Sequence, residues 1–203
     1  MGERSLFAPK AVYEQLREYC GRLARRGYVT AHGGNASMRG GDVMWITRHA
    51  SSLENLRPED VIEVYVDRPS SMDALASTEA IVHRRVYLET PNLAILHAHP
   101  PYAVALSFFV DELVPPDSEG YYVLRRVPVV EGSPGTPELA EEVANALKTH
   151  HAVIVRAHGV FAAAKYMDVA YQFLCMVEHS AHIAYLLEGL RASGVEPITP
   201  KKF

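Results

Sequence analysis

Three histidines and one glutamate are the residues of this sequence best suited to chemistry. They are His97 and His99 in His97-Ala98-His99-Pro100, His158 in Ala157-His158-Gly159, and Glu79 in Ser77-Thr78-Glu79. The run Asn92-Leu93-Ala94-Ile95-Leu96 is hydrophobic and of strand character. Side chains two apart on a strand share a face, so His97 and His99 can reach one ion. A second such run, Ala152-Val153-Ile154-Val155-Arg156, delivers His158 just past its end. Three neutral imidazoles around a tetrahedral divalent ion leave one position open, and an open position is the mark of a catalytic rather than a structural site. Glu79 falls in the first turn of a predicted helix, where the dipole favours a carboxylate whatever its function. Its hydroxyl neighbours, the histidine pair that follows and His83 one turn on give it a further use, as fourth ligand or as base. The other histidines read as structural. His150-His151 closes a predicted helix, where positive charge complements the dipole. His179 and His182 share a face of the last helix with the apolar neighbours Phe173, Met176, Val177 and Ile183.

Three loops can gather a ligand around that group. Gly33-Gly34-Asn35 lets backbone approach closely and offers an amide. Ser77 and Thr78 stand at a helix start, where free N–H groups and hydroxyls suit either an anion or simple capping. Thr47-Arg48-His49-Ala50-Ser51-Ser52 brings one fixed positive charge and three hydroxyls, fit for phosphate or carboxylate or for a solvated turn.

The elements that must position these residues alternate between helix and strand. Pro9 opens a helix with Val12, Leu16, Tyr19 and Leu23 on one stripe, and Gly27 ends it. Residues 35–47 form a hairpin turning at Gly40-Gly41-Asp42, and 61–66 a further strand. A helix capped by Ser77 or Thr78 runs to Tyr87 and stops before Thr90-Pro91. Then come a helix over 101–109, a strand over 122–130, a helix capped by Thr136, short strands on both sides of His158, and a long helix from Asp168 to about Gly189.

The 203 residues, 48% hydrophobic and 22% charged, suit one domain over 1–203 with a core of its own. A net charge of -4 provides no basic footprint for nucleic acid. No run approaches a membrane span, and Leu6 breaks the myristoylation pattern at Met1-Gly2. Cys20 and Cys175 sit far apart in helix-like segments and read as buried thiols, so the cytoplasm is the expected compartment.

The sequence resembles the class II aldolase and adducin family. The carriers are Gly34-Asn35-Ala36-Ser37-Met38-Arg39, Ile46-Thr47, Ser77-Thr78-Glu79 followed by His83 and Tyr87, His97-Ala98-His99-Pro100-Pro101-Tyr102-Ala103, and Ala157-His158-Gly159-Val160. The resemblance implies an α/β fold: a single-domain α/β/α sandwich around a mainly antiparallel central sheet, assembled as a homotetramer with sites at subunit contacts. It implies that His97, His99 and His158 hold Zn2+, that Glu79 is the acid/base, and that Asn35, Thr47, Ser77 and Thr78 bind the phosphate of a sugar phosphate. Manganese, cobalt or iron would also suit such ligands.

A zinc Lewis acid can stabilise the enediolate left by breaking a carbon-carbon bond next to a ketone. The expected activity is therefore retro-aldol cleavage of a ketose 1-phosphate to dihydroxyacetone phosphate and an aldehyde. Lys10, Lys148, Lys165 and Lys201-Lys202 all stand outside the motifs, which argues against imine chemistry. The sequence departs from the family in two places. Arg48-His49-Ala50 replaces the usual Pro-Ser-Gly after Thr47, and Tyr121 and Tyr122 lie a few residues later than the family's leaving-group acid, in a stretch read as strand. Arg48 could instead pair a substrate carboxylate, which makes a metal-dependent decarboxylase the main alternative, with an epimerase or dehydratase third. A non-catalytic, adducin-like assembly domain is the reading from a different class.

Overall fold

The computed structural model describes residues 8–198; the Met1-Gly2 and Leu6 motif and the Lys201-Lys202 pair lie outside them. Helix α1 (Lys10–Arg25) starts at Pro9 and carries Arg22 and Arg25 in its last turn, with Gly27 left-handed just beyond. The hairpin of β1 (Asn35–Gly40) and β2 (Val43–Thr47) turns through Gly41 at φ 62°, a conformation that glycine adopts without strain. There follow β3 (Val61–Tyr65), α2 (Ala80–Glu89), β4 (Ala94–Ala98), α3 (Pro101–Leu106), β5 (Glu112–Leu113), α4 (Ser118–Val123) and β6 (Val127–Val130). The chain continues through α5 (Pro137–Leu147), β7 (Ala152–Val155), β8 (Gly159–Ala164) and α6 (Met167–Ala192).

The strands form one sheet in the order β3-β2-β1-β4-β8-β7-β6-β5. Every neighbouring pair is antiparallel except β6 with β7. Side-chain alternation along the central strands divides the core into two layers. Leu96, Ile154 and Ala162 face the layer that holds residues of α1, α3 and α6. Ile95, Val153, Phe161 and Ala163 face the layer that holds residues of α2 and α5. This is the expected α/β/α sandwich around a mainly antiparallel sheet. Among the described residues no helix is long and apolar enough to cross a membrane. Cys20 is buried, which pushes its thiol up to about 12, and Cys175 is half-buried; both are free.

Three boundaries differ from expectation. The strand expected over 122–130 begins only at Val127, because residues 118–123 are helical. Asp117 caps that helix by accepting from the Gly120 N–H at 2.8 Å, and Arg125 at φ 59° breaks the chain before β6. Tyr121 and Tyr122 are thus exposed helix residues rather than sheet packing. The helix after Pro100 ends at Leu106, short of 109. Helix α2 starts one residue beyond Glu79, so that Glu79 is its N-cap instead of a first-turn residue.

Phe161 joins core and site. It is fully buried and stacks on the His97 ring at 4.0 Å between centroids and 17° between planes. Phe161→Ala is expected to lower stability by about 3–5 kcal/mol. Chemical denaturation of the metal-free protein checks this.

Candidate metal centre and active site

The three histidines converge because two adjacent strands end together. His97 lies on β4, His99 just past its end, and His158 in the turn that joins β7 to β8, the strand paired with β4. The Nε2 atoms of His99 and His158 stand 3.1 and 3.3 Å from that of His97. Nitrogens bound at 2.0–2.1 Å to one tetrahedral ion would be ~3.4 Å apart, so the triad has the span of a ligand set. His97 Nδ1 lies 3.1 Å from the Val160 carbonyl and donates to it, which leaves Nε2 with its lone pair for an ion. Burial and the neighbouring rings hold His97 well below the usual histidine range, and burial lowers His99 as well. Burial pushes His158 down to about 4. Neutral imidazoles are the form that ligates a metal.

Backbone geometry leaves the rings little freedom. A Cβ on Gly159 would stand 2.3 Å from the Ala98 carbonyl oxygen, 2.7 Å from His99 Cδ2 and 3.0 Å from His97 Cε1. Gly159→Ala must therefore push two ligands apart. It is expected to weaken metal binding roughly 10- to 100-fold, as read by titration with Zn2+ or Co2+. The turn before His158 is clamped by Arg156, which donates to Glu131 at 2.7 Å, to Asp111 at 2.6 Å and to the Ser107 carbonyl. Ala157, at φ 59°, donates its N–H to Ser107 Oγ at 3.0 Å. Arg156 has no motif of its own in the sequence; its position next to the Ala157-His158 turn is the only signal.

Glu79 comes to the triad from the other side. Its Oε2 stands 3.3 Å from His97 Nε2 and accepts from Asn35 Nδ2 at 3.2 Å. Oε1 is buried, has no hydrogen-bond partner among the described residues, and lies 4.0 Å from His158 Nε2. Burial pushes this carboxyl up to about 7 against the lowering by Asn35. An orphaned carboxylate oxygen beside three converging nitrogens is the donor set of a cation site and also of a base within reach of a ligand on that cation. Asn35 itself is placed by sheet register, opposite His97 on β1.

These groups open on a cleft of about 280 Å³, lined also by His32, Gly33, Gly34, Arg48, His49, Ser77, Thr78 and Pro134. The structure thus brings Asn35, Arg48, Ser77, Thr78, Glu79 and the three histidines to one place. Thr47 is buried behind the cleft, where its Oγ1 accepts from the Ala36 N–H at 3.2 Å. Ser77 Oγ accepts from the Glu79 N–H at 3.3 Å, so its hydroxyl shapes the approach to α2. His32 and Pro134 also reach the cleft, although neither belongs to a motif that marks it in the sequence. Among the described residues no lysine lines the cleft. His179 and His182 stay apart from it, and His182 stacks on Tyr102 at 3.8 Å. His150 Nδ1 lies 3.1 Å from the Ala146 carbonyl at the end of α5.

The sequence profile of the Class II Aldolase and Adducin N-terminal domain matches residues 14–185, and the chain belongs to that family. It is an enzyme of the class II aldolase superfamily, whose reactions are of the lyase type. An L-fuculose phosphate aldolase of Methanococcus maripaludis is 30% identical over 174 residues, covering 85% of this chain and 95% of the relative. A 3-oxo-tetronate 4-phosphate decarboxylase of Haemophilus influenzae is 31% identical over 173 residues, covering 81% and 82%. Among solved structures, L-fuculose-1-phosphate aldolase from Thermus thermophilus superposes with a TM-score of 0.85 at 36% identity, covering 94% of this chain and 100% of that one.

Proposed function

We propose that the protein is a zinc-dependent aldolase that cleaves a ketose 1-phosphate to dihydroxyacetone phosphate and an aldehyde. The observation that carries this reading is the unpartnered Glu79 Oε1 beside three converging Nε2 atoms. His97, His99 and His158 would hold the ion. When bound, it supplies Lewis-acid stabilisation of the negative charge left by the breaking carbon-carbon bond. Glu79 moves the proton: it gives one to the carbon that keeps the bonding electrons, and in the synthetic direction it removes that proton. With its carboxyl pushed up to about 7, Glu79 can hold or release a proton near neutrality. Ser77, Thr78 and Arg48 line the cleft mouth and supply hydroxyls and one positive charge for the substrate's phosphate. Asn35 reaches the same cleft, and Thr47 supports its floor. The reading also includes assembly as a homotetramer.

Arg48 supports a second reading. It is exposed at the cleft and, among the described residues, has no ion-pair partner; in that position it could hold a substrate carboxylate for metal-dependent decarboxylation. The deciding experiment incubates zinc-loaded protein with ketose 1-phosphates and with phosphorylated hydroxy-carboxylates, and measures aldehyde and carbon dioxide in parallel. Aldehyde together with dihydroxyacetone phosphate is the expected outcome. Carbon dioxide alone would replace the aldolase with the decarboxylase, and protein that takes up no divalent ion would remove both.

A further inference from the structure

Behind Glu79 runs a row of polar side chains that the proposed reaction does not use. Asn35 Oδ1 lies 2.6 Å from His83 Nε2, His83 Nδ1 lies 2.6 Å from Ser37 Oγ, and Ser37 Oγ lies 2.7 Å from the Tyr87 hydroxyl. All four residues are buried, His83 and Ser37 at 0% exposure. Ser37 and Asn35 come from one strand, and His83 and Tyr87 from successive turns of the helix that Glu79 caps.

The hydrogen-bond directions in this row follow from donor and acceptor chemistry alone. A carboxylate only accepts, so the end of the Asn35 amide at Glu79 Oε2 is the NH2 group, and its oxygen faces His83. His83 Nε2 must then carry the proton. In a neutral imidazole that leaves Nδ1 as acceptor, so the Ser37 hydroxyl donates to it, and Tyr87 donates to Ser37. Every member is satisfied in this direction. Reversing it would turn the Asn35 oxygen against the Glu79 carboxylate. Burial pushes His83 down to about 3, in agreement with a neutral ring.

We infer that His83, Ser37 and Tyr87 are positioning residues: they lock the Asn35 amide so that it ties down Glu79 Oε2 and leaves Oε1 as the oxygen that handles the substrate proton. This inference rests on the acid/base role proposed for Glu79. It adds that the aim of that carboxylate is set by a chain running back to Tyr87, about two turns along α2 from Glu79.

The test has two arms. In the first, protein carrying 15N-labelled histidine and asparagine is studied by NMR without substrate. His83 is expected as the neutral Nε2–H tautomer, and Glu79→Gln is expected to shift the Asn35 side-chain amide protons. An Nδ1–H tautomer, or an Asn35 amide indifferent to Glu79→Gln, overturns the inference. In the second, kcat and KM are measured with the ketose 1-phosphate that the wild type cleaves. His83→Leu is expected to lower kcat roughly 10- to 100-fold with KM and zinc content unchanged. His83→Gln, which can still donate to Asn35, should recover most of that loss, and Tyr87→Phe, at the end of the chain, should cost less than His83→Leu. Failure of the Gln variant to recover activity while folded and metal-loaded, or a loss confined to KM or to zinc, sinks the inference. If no ketose 1-phosphate is cleaved, the aldolase reading fails by itself, and the NMR arm still decides the direction of the chain.

Discussion

Glu79→Gln is expected to leave zinc content and fold intact while turnover falls about 1000-fold, within the range attributable to loss of one acid/base group. The substitution keeps the volume of the side chain and its acceptor oxygen but removes a group that can exchange a proton. Since Glu79 lies at only 3% exposure and one oxygen already receives Asn35, the amide fits with little rearrangement. Metal analysis, circular dichroism and the aldehyde assay together separate the outcomes. Full activity in the zinc-loaded variant would remove Glu79 from the chemistry and leave it a cap of α2 alone.

The second large effect is expected from His97→Ala. His97 is the centre of the triad, with both other Nε2 atoms and Glu79 Oε2 within 3.3 Å of its own Nε2. Its removal should abolish stoichiometric zinc binding and with it all measurable turnover. Treatment of the wild type with a strong chelator should reproduce the loss, and added Zn2+ should restore activity to the wild type but not to the variant. A variant that still binds one ion per chain would mean that the three rings do not act as one ligand set.

Much of this arrangement is legible in the sequence, and the reason is local. His97 and His99 need only the period of a strand, and His158 only a second strand ending nearby, so the triad can be drawn before any fold is known. The short strands on both sides of His158 follow in the same way. Pairing between distant segments is not legible. That Asn35 sits opposite His97 is a matter of sheet register, and register fixes which Asn35 atoms meet Glu79 and His83. Tyr121 and Tyr122 read as strand because aromatic, β-prone residues outweigh Asp117-Ser118-Glu119, a helix-start signature that the structure uses. Thr47 falls into a binding motif by resemblance, but its hydroxyl is committed to the backbone of its own hairpin.

The strands that carry the triad are the middle of the sheet, with β4 and β8 flanked on both sides by further strands. Segments so placed are the last to open in native-state fluctuations. An ion held there cannot escape through a fraying loop, and its binding energy is shared by the whole cooperative unit. The melting temperature of this chain should accordingly climb with the concentration of free divalent ion, and amide protons of the two central strands should report occupancy as faithfully as the histidines themselves.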